Sequence, residues 1–305
     1  MQQSPKVSVI IPTHQGVEYI ERTLSSVFSQ DYDNLEVIVV DDNGKGTEAQ
    51  SKTEELLKKY IKDSRFKYII HGANKNGSAA RNTGARYATG KYLNFLDDDD
   101  ELGSGKIRYQ INQMEGLTNE WAGSYSSTII KLGRKKVRIV RATQSGNLLI
   151  EHLTTAIRIS TASLLLRKSV WEDVGGYDET FSRHQDWEFN ARILDKYKLI
   201  AAEDVYYIRN YTFRHNEVEI NKKERNLVHF TDVMHTTIKS IPKDRLGNIL
   251  RRKYITILIG YLKRGYIKDF IRVWNEQCFR GCDIYYLLRY IFHYLKCRAI
   301  YGKAF

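Results

Sequence analysis

Short apolar runs alternate with longer amphipathic stretches through the first hundred residues. Residues 7–11, 35–40, 66–70 and 92–96 are continuous runs rich in β-branched or aromatic side chains, the pattern of strands buried on both faces. Between them the period becomes helical. Ile20, Leu24, Val27 and Phe28 recur at i, i+4, i+7 and i+8, Leu56, Leu57 and Ile61 repeat the theme, and 79–88 is short and alanine-rich. Strands alternating with helices need crossover connections, so the pattern predicts an α/β fold, a mostly parallel sheet flanked by helices on both faces. Ligands of such sheets lie beyond the carboxyl ends of the strands. Three polar clusters fall at those ends: residues 12–16 (Pro-Thr-His-Gln-Gly), 41–44 (Asp-Asp-Asn-Gly) and 97–100 (four Asp). One crevice is expected to collect all three.

After Asp100 the pattern is mixed. Ile107, Ile111 and Met114 mark a short helix, 121–132 and 136–141 read as strands, and 157–166 alternates weakly. A helix follows Gln185, with Trp187, Ala191 and Leu194 on one face, and 205–208 is strand-like. From about residue 220 the chain is basic, helical in period and rich in tyrosine.

Composition adds two facts. Of 305 residues 42% are hydrophobic, which excludes a disordered chain, and the three cysteines, Cys278, Cys282 and Cys297, suit structural thiols better than a disulfide framework. The first six residues lack the apolar core of a signal peptide, so synthesis and retention in the cytoplasm are expected. Charge is the second fact. Residues 221–305 hold 18 Lys and Arg against 6 Asp and Glu, so the whole chain's excess of +12 lies there and residues 1–220 are neutral. Two domains with different jobs are expected, a neutral one over 1–220 and a basic helical region over 221–305.

The four carboxylates of Asp97, Asp98, Asp99 and Asp100 close an apolar strand pattern. Adjacent like charges repel, so a counter-charge is expected there. Mg²⁺ or Mn²⁺ would suit, because both take oxygen ligands and Mg²⁺ typically uses one or two carboxylates with phosphates and water. A solvated turn that caps a helix is the plainer reading of the same residues.

Six motifs occur in order over residues 5–215: 7–13 (VSVIIPT), 39–43 (VVDDN), 80–84 (ARNTG), 95–99 (FLDDD), 174–179 (VGGYDE) and 185–188 (QDWE). Together they resemble family 2 glycosyltransferases of GT-A fold, in particular those that build bacterial surface and capsular polysaccharides. The resemblance implies an inverting, metal-dependent enzyme that moves a sugar from a UDP-sugar to an acceptor hydroxyl. Asp97 and Asp99 match the family's D-x-D pair, with Asp99 at the Mn²⁺ or Mg²⁺ ion and Asp97 or Asp98 toward ribose or metal-bound water; Asp100 makes the motif longer than the minimal pair. Pro12, Thr13, His14 and Asp42 fall where relatives grip uridine, and Arg81 where they reach the diphosphate. Asp186 matches the catalytic base. His215, after the last strand-like segment, is a candidate metal contact. Two rivals are a nucleotidyltransferase on a similar scaffold and a non-catalytic nucleotide-sugar-binding module. The first normally needs a glycine-rich basic loop after strand one, and 12–16 contains one glycine and no Lys or Arg. The second is disfavoured by the intact acidic tetrad and Asp186.

In the basic region Ile284, Leu287, Leu288, Ile291, Phe292 and Leu295 form an apolar stripe, with Arg289, His293 and Lys296 opposite. Tyr285, Tyr286, Tyr290 and Tyr294 border it. That profile fits a helix lying in an anionic membrane interface, which predicts peripheral attachment at the inner face of the cell membrane. By analogy with relatives, the acceptor would be a saccharide on a polyprenyl diphosphate. Packing on the catalytic domain or on a second subunit, as a homo-oligomer, is the alternative use of the stripe. Nucleic acid is not expected as a partner, since no recognised binding module is present.

Overall fold

The computed structural model describes residues 4–133, 135–181, 183–211 and 219–277, together with 279, 283–285, 287–289 and 292. The chain divides into two compact units, Met1–His215 and Asn216–Phe305. In the first, the order is β1 (Val7–Thr13), α1 (Ile20–Phe28), β2 (Leu35–Asp41), α2 (Glu48–Leu57), β3 (Phe66–Ile70), α3 (Gly77–Tyr87), β4 (Tyr92–Phe95), β5 (Glu101–Leu102) and α4 (Lys106–Met114). There follow β6 (Trp121–Leu132), β7 (Lys135–Val140), α5 (Leu149–Leu153), a 3₁₀ turn at Thr161–Ser163, β8 (Leu164–Arg167), α6 (Lys168–Asp173), α7 (Gln185–Lys196) and β9 (Lys198–Asn210).

These strands form one curled sheet in the order β3-β2-β1-β4-β8-β6-β9-β5, with β7 paired to β6. The expected parallel packing holds from β3 to β4. Past β4 the sheet is mixed: β8 runs antiparallel to both β4 and β6, while β6 and β9 are parallel. The weak alternation over 157–166 becomes the 3₁₀ turn and a shorter strand, because Ser163 Oγ donates to Ser160 O (2.6 Å) and ties the segment into a turn. Ile61, read as helical, lies beyond the end of α2 and is exposed.

The core forms where the sequence pattern placed it. Val7, Val9, Ile11, Leu24, Val27, Val37 and Val39 are fully buried. On the other face of β1, Gly84 lets α3 approach closely, since a Cβ there would lie 2.3 Å from Ile10 Cγ2. α3 starts at Asn76, whose side chain accepts from Ala79 N (3.1 Å), an N-cap that fixes where the helix begins.

The second unit contains α8 (Ile220–Thr237), α9 (Lys243–Arg251), α10 (Tyr254–Lys263) and α11 (Ile267–Glu276). No helix among the described residues is long and apolar enough to cross a membrane. His215, the three cysteines and much of the 284–295 stripe, including Tyr286, Tyr290, Ile291, His293, Tyr294, Leu295 and Lys296, lie outside the described residues.

Candidate active site

The acidic tetrad sits at the carboxyl end of β4, as a turn held from two sides. Thr23 Oγ1 of α1 donates to the carbonyls of Asp98 (2.9 Å) and Asp100 (2.8 Å). From β9, Asn210 Nδ2 donates to Asp99 O (3.0 Å) and Asn210 N to Asp100 Oδ1 (2.9 Å). The four carboxylates therefore differ. Asp98 is buried and accepts from Thr13 Oγ1 (2.6 Å), which joins the ends of β1 and β4. Gly16 makes room for this contact, because a Cβ would fall 1.7 Å from Asp98 Oδ2. Asp100 is also buried, and desolvation with the negative charges of Asp97 and Asp99 pushes its carboxyl well above the usual range. Asp97 and Asp99 keep partial exposure.

That donor set is all oxygen and suits Mg²⁺ or Mn²⁺ rather than a softer ion. Among the described residues no three His, Cys, Asp or Glu side chains converge on one point. Among the described residues Asp97 and Asp99 would supply the one or two carboxylates that Mg²⁺ takes alongside substrate phosphates.

Arg81 links the tetrad to α7. Its Nη2 donates to Asp97 Oδ1 (2.6 Å) and its Nη1 to Gln185 Oε1 (2.9 Å), with the guanidinium over the Tyr177 ring at 5.6 Å. Arg81 Nε is buried without a hydrogen-bond partner. Asn82, its neighbour, clamps the 174–179 loop. Asn82 Nδ2 donates to Tyr177 O (2.8 Å) and to Glu179 Oε1 (2.9 Å), and Tyr177 N donates to Asn82 Oδ1 (2.8 Å). The third and fifth motifs thus belong to one hydrogen-bonded structure.

Asp186 lies exposed in the first turn of α7. The preceding His184 is at φ +62°, a left-handed conformation costly for a residue with a Cβ, and this bend starts the helix. Trp187 is mostly packing: its Nε1 donates to His152 O (3.3 Å), and its ring edges meet His152 and His184. Glu188 is buried in an ion pair with Arg192.

At the β1 and β2 ends, Asp42 N donates to Thr13 O (2.8 Å). The Asp42 carboxylate is buried and engages His71 Nδ1 (2.7 Å), Lys75 N (2.8 Å) and Asn76 N (2.9 Å). Any base bound there would meet a carboxylate already fixed in direction. His14, next to Thr13 in the chain, is exposed, and Pro12 is half-buried.

A cavity of about 200 Å³ is lined by Arg81, Asp97, Ser160, Thr161, Ala162, Arg183, His184, Gln185, Asp186, Tyr207 and Arg209. It brings the cation-side carboxylate and the candidate base into one space. Sequence reasoning missed Arg183 and Arg209, which no motif contains. Burial opposes the charge of Arg209, but Tyr207, Asp100, Asp97 and Asp186 outweigh it and hold the guanidinium above its ordinary range. The cavity so combines carboxylates with three guanidinium groups, a lining able to hold an anion and accept a proton. A larger cavity, about 490 Å³, lies in the second unit among Glu224, Arg225, Asp232 and Arg272 and contains none of the motif residues.

The family model for glycosyl transferase family 2 matches residues 8–173. A relative from Erwinia amylovora, the amylovoran biosynthesis glycosyltransferase AmsB, is 31% identical over 191 residues, 61% of this chain and 62% of that protein. The GalNAc(5)-diNAcBac-PP-undecaprenol β-1,3-glucosyltransferase of Campylobacter jejuni is 39% identical over 104 residues, 34% of this chain and 32% of that one. The matches thus span less than two thirds of these two relatives' own length. Among solved structures, S. aureus TarS 1-349 in complex with UDP has a TM-score of 0.58 at 18% identity, covering 82% of this chain and 72% of its own. The mannosyltransferase PcManGT from Pyrobaculum calidifontis, in complex with GDP-Man and Mn²⁺, has a TM-score of 0.57 at 17% identity, covering 94% and 84%. The sheet and its flanking helices are those of the GT-A fold.

Proposed function

The chain belongs to glycosyl transferase family 2 and is a glycosyltransferase, and from that premise we propose that it transfers a sugar from a UDP-sugar to an acceptor hydroxyl with inversion and with a divalent metal. The observation that carries this reading is the single cavity in which Arg81, Asp97 and Asp186 face one another from three separate elements. In it, Asp97 and Asp99 would hold Mn²⁺ or Mg²⁺. The bound ion would supply Lewis-acid stabilisation of the leaving diphosphate. Arg81, fixed by Asp97 and Gln185, would direct its guanidinium at the phosphate oxygens. Asp186, exposed at the opening of α7, would take the acceptor proton as the new glycosidic bond forms. Pro12, Thr13, His14, Asp42 and Asp98 would line the nucleotide side, with His14 stacking and Asp42 facing the base. His215 remains a candidate metal contact on sequence alone.

The AmsB and undecaprenol-linked relatives support a role in bacterial surface polysaccharide synthesis on a lipid-linked acceptor. A basic C-terminal unit supports peripheral contact with an anionic membrane, which would keep such an acceptor within reach.

Incubation of the protein with a panel of UDP-sugars and Mn²⁺, followed by assay of free UDP, tests the reading. Slow hydrolysis is expected that is lost with chelator or in Asp99→Ala. With an acceptor, Asp186→Asn is expected to lower kcat by at least about a hundredfold while UDP affinity stays within about twofold. Collapse of UDP binding in that variant would remove Asp186 from the role of base.

A further inference from the structure

The helix α11 leaves part of its apolar side uncovered. In a surface helix of a water-soluble protein the apolar stripe faces the core and the charges face solvent. On the charged side Arg272, itself 42% exposed, donates to Glu224 of α8 through both Nη1 (2.8 Å) and Nη2 (2.9 Å). The acidic residues of α11 follow it: Asp269 (3.3 Å) and Glu276 (3.1 Å) both pair with Arg272. Residues three and four apart share a helix face, so Asp269, Arg272 and Glu276 form one charged side. Ile267 and Ile271, one turn apart on the other side, are 51% and 52% exposed. Val273 alone in this helix is buried. Phe270 and Trp274 edge the apolar side, stacked at 6.0 Å between centroids, and Trp274 also stacks on Phe279 (4.9 Å).

Tyr266 and Leu262 are exposed just before the helix, and Lys263, Arg264 and Lys268, interleaved with these apolar residues along the chain, are exposed too. Across the described residues thirteen large hydrophobic side chains are exposed, and nine belong to the second unit, including Leu288 and Phe292. Exposed large hydrophobic side chains are therefore enriched in this unit, and four of the nine, Leu262, Tyr266, Ile267 and Ile271, fall within ten residues. Cations interleaved with exposed apolar side chains are complementary to anionic headgroups over acyl chains. A two-fold contact with a second copy would instead set the same cations against each other.

We propose that α11 is an insertion face, with Ile267 and Ile271 entering the headgroup and acyl boundary of an anionic bilayer while Lys263, Arg264 and Lys268 meet lipid phosphates. This rests on the reading of peripheral membrane contact and names the surface that makes it, one distinct from the 284–295 stripe.

The test is co-sedimentation of the full chain with phosphatidylglycerol-containing vesicles and with pure phosphatidylcholine vesicles. Wild type is expected to partition to the anionic vesicles with a blue shift of tryptophan emission. Ile267→Ser/Ile271→Ser should lower that partition by at least about tenfold, since each truncation removes about two buried methylene equivalents or more. UDP binding and lipid-free UDP-sugar hydrolysis should stay unchanged, which separates failure here from failure of the transferase reading. Lys263→Gln/Lys268→Gln leaves the apolar stripe intact and should weaken binding to the anionic vesicles alone, more at low salt. Equal partition of wild type and both variants would overturn the proposal. So would a serine variant that changes the sedimenting mass of the free protein while vesicle binding persists, because the face would then join two copies.

Discussion

At the scale of single residues, the chain uses buried carboxylates at both ends of its central strands for different purposes. Glu36 on β2 is 1% exposed, far from the tetrad in sequence, and accepts from Ser8 Oγ (2.6 Å), Thr89 N (2.6 Å) and Lys67 Nζ (3.0 Å). Burial opposes its ionisation, but the hydrogen bonds from Ser8, Thr89 and Lys67 outweigh it and bring the carboxyl down to about 2. A carboxyl held below its unfolded value contributes stability above the unfolded pKa and loses it as pH falls through the folded one. Glu36→Gln is therefore expected to cost up to about 3 kcal/mol at neutral pH, with the gap to wild type closing between about pH 4.5 and 2. Urea unfolding at several pH values measures this, and a gap independent of pH would refute the assignment. Sequence reasoning did not single out Glu36, since one polar position in an apolar run gives no sign that donors from three distant segments converge on it. Asp97 and Asp186, which line one cavity, drew attention in the sequence because their motifs stand in order along the chain. Arg183 and Arg209 did not, as a lone arginine is indistinguishable from a solvated one until the fold closes around it.

Among the elements, β1 to β4 lie where short apolar runs placed them, and the structure extends β1 to Thr13 and β2 to Asp41 and ends β4 at Phe95, one residue early. Those extensions matter, because they carry the polar residues at the strand ends into the sheet's hydrogen-bond ladder, where Thr13 is in register with Asp41. Pairing of β6 with β9, about seventy residues apart, has no local signature and could not be read. The seating of α3 depends on small residues, with Ala79, Ala80 and Gly84 all buried. Gly84→Val would force side-chain atoms into Ile10, which is branched at Cβ and cannot swing away, and into Val40. A loss of about 1–3 kcal/mol is expected, with weaker UDP binding because Arg81 rides on the same helix. A lower urea midpoint with unchanged slope would bear this out, and unaltered stability would show that the helix can shift without cost.

For the whole molecule, charge and chemistry are divided between two units. The first is close to neutral, +2 over residues 1–215, and sets its candidate-site carboxylates at the carboxyl ends of the strands, while the second holds +10 over residues 216–305 and leaves apolar side chains of α11 exposed. Such a division suits an enzyme that handles a water-soluble anionic donor in one unit and reaches a lipid-bound acceptor through the other. The claim on which this account turns is that Asp97 and Asp99 hold a divalent ion that grips the donor diphosphate. A crystal soaked with Mn²⁺ and UDP, with anomalous data collected for manganese, tests it most directly. The account expects a peak about 2.1–2.3 Å from Asp99 and from oxygens of both phosphates, with Arg81 close to the diphosphate. Ordered UDP without manganese at that corner, or manganese bound elsewhere, would contradict it.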